Sequence, residues 1–411
     1  MRFALLGNHP DGLQMVRALT ATGRHQLVAY SGPAPGAEAL RRFGIFIKPV
    51  GDMEEILADP AVEAVIVAGR SGDRAVQLRR ALQSERHVLC VHPADEAPDI
   101  AYEAAMIQGD TKQVLLPLLP GALHPAVRQL ADIVLRPDGA IGQTTLLLVE
   151  HATTHPPTAA TVPSLPGWDI IRALGGEVLE VSSFAVREEA EADQPLLVSG
   201  RCATGLLFQG LFLPGQPETR YRIEALGSRG RALLELPLTW PGPVRLVSPG
   251  DSRDWPDWDP WLVLVEVFEA AAGMQSPATS AVASPSSDLR NETAIQSAPR
   301  ADGRRPKAES GWPSWQDEVR CLELDDAVRR SVERRRASAL EYQEASEEVG
   351  FKGTMTLLGC GLLWGLLVLL PLAAWDRRFL WLTIPLLALF LGMQFFRWLI
   401  PRQSNPPEPP A

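Results

Sequence analysis

Short apolar runs alternate with amphipathic segments over the first 120 residues. The runs at 2–7, 26–31, 45–50, 63–69, 87–91 and 113–119 have the length of buried strands, and the segments between them carry apolar residues at helical spacing. Strands that alternate with helices are typical of a parallel sheet with right-handed crossovers. The pattern therefore predicts an α/β domain over residues 1–120.

The pattern changes after residue 120. One helix at 123–135 and another at 168–175 accompany a succession of strand-like segments at 144–152, 178–186, 195–203, 205–213, 219–228 and 230–238. Strands that follow one another directly favour a mostly antiparallel sheet and an α+β domain. We assign this domain to residues 121–274 and 314–336, because residues 275–313 are rich in Ser, Pro and Ala and predict a disordered insertion.

Two long apolar runs lie near the carboxyl end, at 354–375 and 379–400. Each is long enough to cross about 30 Å of hydrocarbon as a helix. They predict a transmembrane α-hairpin, preceded by a helical spacer at 337–353 and followed by a disordered tail at 401–411. The flanking arginines favour a multi-pass membrane protein whose soluble domains are cytoplasmic.

Charge and cysteine content exclude several classes of function. The 411 residues carry a net charge of −10 and have no basic stripe, which argues against a nucleic-acid partner. The four cysteines form no Cys-x-x-Cys motif, so neither a zinc site nor a disulfide framework is predicted.

A glycine turn joins the first strand to the first helix, where a Rossmann domain holds the pyrophosphate of a dinucleotide. Gly7 and Gly12 occupy the first and sixth positions of the Gly-x-Gly-x-x-Gly fingerprint, but His9 replaces the middle glycine. At the end of the second strand, Ser31 stands where an acidic residue would bind a ribose hydroxyl. The fold signal is therefore stronger than the cofactor signal.

Five segments together resemble the Gfo/Idh/MocA oxidoreductases. They are residues 62–95, 119–143, 168–183, 224–236 and 314–332. The resemblance implies a Rossmann domain followed by an α+β sheet domain, NAD or NADP as cofactor, a small-molecule ligand such as a sugar, and a homodimer that pairs through the sheet domain.

The chain departs from this family at the positions that would carry out catalysis. His92, followed by Pro93, replaces the lysine that the resemblance implies, and Pro166 replaces the histidine that would precede Asp169. His92 and Asp169 are the candidate catalytic residues, with Asp169 serving as a base or only as a carboxylate on the helix face.

The cofactor-binding positions are altered as well. Gly69 and Arg70 align with a Thr-Pro pair, and Arg74 aligns with a histidine-bearing loop. The candidate cofactor-binding residues are Gly7, His9, Gly12, Ser31, Gly69, Arg70, Arg74 and Pro93.

Hydride transfer needs both a positioned nicotinamide and a proton acceptor, and both sets of residues are altered together. The leading hypothesis is a membrane-anchored, oxidoreductase-like binding or scaffold module with a degenerate NAD(P) site. The alternative is an active NAD(P)-dependent oxidoreductase of a sugar or cyclitol that uses His92 and Asp169. A third hypothesis is a small-ligand sensor that signals through the hairpin.

Overall fold

A computed structural model describes residues 1–109, 111, 113–154, 166–186, 194–274, 313–334 and 338–339. Contacts divide the chain into one compact unit, Met1–Glu341, and a second, Tyr342–Ala411. All described residues belong to the first unit, which contains two sheets. The predicted insertion at 275–313, except for its last residue, and the predicted tail at 401–411 lie outside the described residues. The predicted domain bounds stay a prediction.

The first sheet has five parallel strands in the order β2-β1-β3-β4-β5. These strands are β1 (Arg2–Gly7), β2 (Gln26–Ser31), β3 (Ala64–Ala68), β4 (His87–Val91) and β5 (Leu115–Leu118). The connecting helices are α1 (Pro10–Ala21), α2 (Ala34–Arg42), α3 (Met53–Ala58), α4 (Ser71–Gln83) and α5 (Asp99–Gly109). The central strand β3 is buried along its whole length, as expected for a sheet covered on both faces. The predicted Rossmann-type domain is confirmed.

The second sheet has nine strands in the order β13-β12-β11-β10-β6-β9-β8-β7-β14. These strands are β6 (Thr144–Ala152), β7 (Val178–Ala185), β8 (Leu196–Cys202), β9 (Leu207–Leu213), β10 (Arg220–Gly227), β11 (Gly230–Leu236), β12 (Val244–Ser248), β13 (Asp251–Trp255) and β14 (Ser338–Ala339). All pairings are antiparallel except that of β6 with β9. The predicted α+β sheet is confirmed in this form.

Helices cover one face of the second sheet. They are α6 (Pro125–Leu135), α7 (Trp168–Gly175) and α9 (Trp315–Arg334), and their apolar side chains share one core with the sheet. A 3-10 turn at Gly121–Leu123 and helix α8 (Pro260–Ala271) connect to the first sheet. Helix α8 packs on the α1 side of that sheet, whereas α9 packs on the α5 side.

Helix α9 contributes to the cores of both sheets. Val319 and Leu322 pack with the first sheet, while Leu324 and Val328 pack with the second. These positions follow a helical period that distributes apolar residues around much of the helix, as expected of a helix buried between two layers. The helix therefore brings residues near the carboxyl end of the unit to the end of the first sheet.

Two predicted local elements differ from the structure. Residues 45–50 do not form a strand; the segment runs beside β2, where Val50 N–H donates to Tyr30 O at 2.7 Å. Phe46 is 83% exposed, so this run lacks the burial on both faces that a strand of a covered parallel sheet has. The predicted spacer helix begins differently too, because Ser338–Ala339 pairs with β7 as β14.

The prediction of a multi-pass membrane protein is contradicted. Among the residues that the structure describes, no helix is both long and apolar enough to cross a bilayer. Helix α8 is apolar but has only 12 residues, which at about 1.5 Å each fall short of the roughly 30 Å hydrocarbon core. Helix α9 has 20 residues but is rich in charge. The two predicted spans, 354–375 and 379–400, lie outside the described residues.

Candidate functional site

The turn between β1 and α1 explains the two glycines of the fingerprint. Gly7 has φ +104°, a conformation that glycine adopts without strain, and a Cβ there would lie 2.2 Å from Ala68 O. A Cβ on Gly12 would lie 2.4 Å from Ala68 Cβ. Both glycines thus permit α1 to pack closely on β3, which is the structural half of the fingerprint.

Three consecutive positions of this turn, His9 to Asp11, have no free backbone amide to donate to a pyrophosphate. The His9 amide donates to Ala68 O at 2.9 Å, and Pro10 has no N–H. The Asp11 amide donates to His9 Nδ1 at 3.3 Å, so the imidazole caps α1. The backbone N–H groups of His9 and Asp11 are therefore already hydrogen-bonded, and Pro10 has no N–H.

Asp11 adds a carboxylate to the first turn of α1, where a phosphate would otherwise bind. Burial, together with the charges of Arg74 and His92, lowers the pKa of His9 to about 4, so the ring stays neutral and can accept the Asp11 amide. Burial raises the pKa of Asp11 to about 6, although Arg74 and His92 oppose this rise. The residues present do not fit a dinucleotide pyrophosphate.

The start of α2 crowds the end of β2. A Cβ on Gly36 would lie 2.8 Å from Asn8 Cβ and 2.1 Å from Tyr30 Oη, so the helix approaches the glycine turn closely. Tyr30 donates to Pro33 O at 2.8 Å and is fully buried. Ser31, the predicted ribose contact, ends β2 beside this group and is partly exposed. The residue that ends β2 is thus a serine and not an acid.

Arg74 joins the ends of β3 and β4. Its Nε donates to Gly69 O at 2.8 Å and one terminal nitrogen donates to Pro93 O at 2.5 Å. The side chain is only 4% exposed, and burial lowers its pKa. Arg70, by contrast, is exposed at the start of α4 and makes no capping hydrogen bond through its side chain. The Arg74 side chain thus brings Gly69 and Pro93 together, whereas Arg70 takes no part in these contacts.

His92 follows β4 and precedes Pro93 across a cis peptide bond. Its Nδ1 lies 2.8 Å from Glu318 Oε2, and the Ala94 amide donates to Glu318 Oε1 at 2.7 Å. Glu318 belongs to α9 and its side chain is 1% exposed, whereas the His92 side chain is 27% exposed. The sequence therefore places a buried acid beside the candidate catalytic histidine from 226 residues away.

Burial opposes a charge on His92, but the Glu318 carboxylate outweighs it and raises the pKa of His92 to about 9. The charges of Asp325 and Asp169 contribute to this rise in the pKa of His92. His92 is therefore an imidazolium at neutral pH, so the position keeps the positive charge that the resemblance implied for a lysine.

Asp169 lies in the first turn of α7 and is 6% exposed. Its Oδ2 accepts the Ala122 amide at 2.9 Å, and burial raises its pKa despite that bond. Tyr221 of β10 is near it: burial raises the pKa of Tyr221, and the charge of Asp169 raises it further. Within the described structure the Tyr221 hydroxyl has no hydrogen-bond partner.

The structure thus brings the two candidate catalytic residues, His92 and Asp169, within electrostatic reach of each other at the carboxyl ends of the first sheet's strands. Their catalytic role stays a prediction. The described residues contain no His, Cys, Asp and Glu group arranged to hold a metal ion. His124, for example, packs against Trp240, Trp255 and Trp258.

Three residues of this region were not predicted from the sequence: Asp11, Tyr221 and Glu318. The sequence pattern indicated that Glu318 is buried, because it lies four residues before Leu322 and so on the same buried face of its helix. The sequence also contained a signal for Asp11, since a carboxylate in the first turn of a helix repels the phosphate that such a helix would bind.

No family model matches the sequence. The chain is 29% identical over 177 residues to 1,5-anhydro-D-fructose reductase of Ensifer adhaerens, a match over 41% of this chain and 49% of that protein. The match therefore spans about half the length of this curated relative. Solved structures with the same fold cover much more of the chain.

Levoglucosan dehydrogenase in complex with NADH and L-sorbose superposes with a TM-score of 0.62 at 16% identity, over 84% of this chain and 99% of its own. The chain has the Gfo/Idh/MocA oxidoreductase fold. A putative myo-inositol dehydrogenase from Sinorhizobium meliloti 1021 matches with a TM-score of 0.55 at 19% identity, over 83% of this chain and 100% of its own.

Biliverdin reductase from Synechocystis sp. PCC 6803, solved with biliverdin and NADP+, matches with a TM-score of 0.57 at 13% identity, over 80% of this chain and 98% of its own. The resemblance inferred from the sequence is thus confirmed at the level of the fold. The levoglucosan dehydrogenase structure contains NADH and the biliverdin reductase structure contains NADP+, so NAD and NADP are the cofactors to test here.

Proposed function

We propose that this chain is a small-molecule-binding module of the Gfo/Idh/MocA fold that does not transfer hydride. One observation carries the proposal: at the start of α1, the amides of His9 and Asp11 are already hydrogen-bonded and Pro10 has none. The Asp11 carboxylate stands at the same place. Pyrophosphate binding at a helix N-terminus depends on free amides and on the positive end of the helix dipole.

The ligand of this module is a small polyhydroxylated molecule bound between His92 and Asp169. Support comes from the donors and acceptors at this place: a cationic imidazole, a buried carboxyl group and the Tyr221 hydroxyl, for which no protein partner exists in the described residues. A buried hydroxyl without a partner costs free energy, so a ligand or water that bonds to it is stabilising.

The proposal is tested by calorimetric titration of the full chain with NADH and NADPH. We expect no binding up to millimolar concentration, while a dehydrogenase of this fold binds under the same conditions. Levoglucosan, myo-inositol and 1,5-anhydro-D-fructose are titrated separately, with His92→Asn as the control for binding at the site. Micromolar cofactor binding together with turnover would contradict the proposal. Turnover would appear as NADH formation from NAD+ with levoglucosan or myo-inositol, or as oxidation of NADH or NADPH with 1,5-anhydro-D-fructose.

A second function is an active NAD(P)-dependent oxidoreductase of a sugar or cyclitol that uses His92 and Asp169 to move protons. The observation in its favour is the His92–Glu318 pair, which retains a cation where the resemblance implies a catalytic lysine. Turnover by the unmodified chain would establish it. The double variant His92→Lys, Pro166→His would then turn over faster, because it restores both residue types that the resemblance implies.

A further inference from the structure

The Glu318 carboxylate uses both of its oxygens at the end of β4. Oε2 contacts His92 Nδ1 at 2.8 Å and Oε1 accepts the Ala94 amide at 2.7 Å, so the carboxylate spans the two residues that flank Pro93. A group with two fixed contacts cannot rotate, and a helix buried between two cores holds it. The position of the His92 ring is therefore set by α9.

We propose that Glu318 is a positioning residue that fixes the proton on His92 Nδ1 and so leaves Nε2 as the ring atom that exchanges a proton with a ligand. A carboxylate accepts hydrogen bonds and donates none, so Nδ1 must carry a proton in this contact. Nδ1 faces a buried carboxylate while the His92 side chain as a whole is 27% exposed, so the edge of the ring that carries Nε2 is the one left to contact a ligand.

Two states of His92 follow from this contact. Below its pKa the ring carries a proton on both nitrogens, and Nε2–H donates to a ligand oxygen. Above its pKa only Nδ1 keeps a proton, and Nε2 becomes an acceptor aimed at the ligand. Without Glu318 the two tautomers of a neutral histidine would compete, so the acid selects the form that can act as a base at Nε2.

The titratable and charged groups around His92 come from four elements. They are Glu318 and Asp325 of α9, Asp169 of α7, Arg74 of α4, and His9 and Asp11 at the start of α1. Among these groups, Glu318 makes the hydrogen bond to the ring itself. Its removal is therefore expected to dominate the protonation of His92.

The Glu318→Gln variant gives a sharp test, because the Ala94 amide dictates the orientation of the new side chain. The amide needs an acceptor, so the glutamine oxygen must face Ala94 and its NH₂ must face His92. An NH₂ group donates, and Nδ1 must then accept. The variant thus reverses the tautomer of the neutral ring without a change in side-chain size.

The measurement is long-range ¹H–¹⁵N NMR of the histidine side chains in the full chain without ligand, over a pH titration. His92→Asn identifies the His92 signals. For the unmodified chain we expect a raised pKa and, above it, a proton on Nδ1. In Glu318→Gln we expect a pKa lower by at least about one unit and a neutral ring with its proton on Nε2.

Glu323→Gln is the matched control. Glu323 lies on the same helix but hydrogen-bonds to Tyr102 and Arg320, so this variant should change neither the pKa nor the tautomer of His92. A purely structural role for Glu318 would lower the melting temperature and leave the tautomer unchanged. Equal tautomers in Glu318→Gln and in the unmodified chain would overturn the inference.

The functional role of the proton on His92 Nδ1 rests on the proposed ligand site. The NMR measurement of that proton is made without ligand and does not depend on the site. If the NMR result holds and no titrated sugar binds, the ligand proposal fails and the role of Glu318 stands. If a sugar binds and the tautomer is unaffected by Glu318→Gln, the positioning role fails and the ligand site stands.

Discussion

At the start of α1 the amides of His9 and Asp11 are already hydrogen-bonded and a carboxylate stands beside them. Substitutions that remove both obstacles should therefore increase the affinity for a dinucleotide. In the double variant His9→Gly, Asp11→Ala, the imidazole that accepts the Asp11 amide is removed together with the carboxylate. The amide of residue 11 becomes free for a phosphate oxygen, and a like charge is lost. Affinity for NADH should therefore rise, because the positive end of the helix dipole then acts on the phosphates alone.

The size of this gain follows from two contributions. A carboxylate about 6 Å from a phosphate charge costs about 3 kcal/mol at an effective dielectric constant of about 20. The Asp11 side chain is 34% exposed, so solvent screening reduces this contribution by roughly half. One freed amide adds about 1 kcal/mol. The sum, about 2.5 kcal/mol, corresponds to a roughly 70-fold lower Kd.

The assay is calorimetric titration with NADH, with the fluorescence of bound NADH as a second readout. Asp73→Ala is the matched control, because Asp73 also lies in the first turn of a helix that follows a strand of the same sheet. It should leave NADH affinity unchanged. Two results would refute the reasoning: micromolar NADH binding by the unmodified chain, or a folded double variant that binds no more tightly.

Two further predictions concern stability. Gly12→Ala should lower the free energy of unfolding by about 1–3 kcal/mol, because the added Cβ lies 2.4 Å from Ala68 Cβ. Urea unfolding measures this loss. The control is Gly72→Ala, because its added Cβ meets no atom within 4 Å. The pKa of His92 is raised on folding to about 9, so its stabilising contribution is complete below about pH 6.5 and is lost as pH rises towards 9. Urea unfolding across this range should show the loss in the unmodified chain and little of it in Glu318→Gln; equal pH profiles would contradict this.

The first sheet could be predicted because its strands are short and apolar and its helices are amphipathic, so the periodicity changes at every boundary. The segment 45–50 was misassigned because it has strand-like residues but lies beyond the last paired strand, where Phe46 meets solvent. Strands β12 and β13 were missed, since β13 (Asp251–Trp255) is polar and almost wholly exposed. An exposed edge strand leaves little hydrophobic pattern in a sequence.

The site was predictable only where local sequence determines it. His9 and His92 were found because they replace expected residues next to strand ends, positions fixed by the alternation of strands and helices. Glu318 could not be assigned to His92, since their contact depends on the packing of α9 between two cores. Contacts between residues so distant along the chain follow from the fold and not from any spacing.

The start of α1 and the end of β4 differ in how they treat their polar groups, and the stability of the fold alone does not explain the difference. At α1, the chain itself uses the amides of His9 and Asp11 and places a carboxylate beside them. At β4, the chain instead keeps a buried carboxylate against an imidazolium with one edge open. Burying such a pair costs desolvation, and apolar residues of similar size are often equally stabilising. A charge pair at the end of a strand, with a shifted pKa and a partly exposed imidazole, therefore supports the ligand site that we propose.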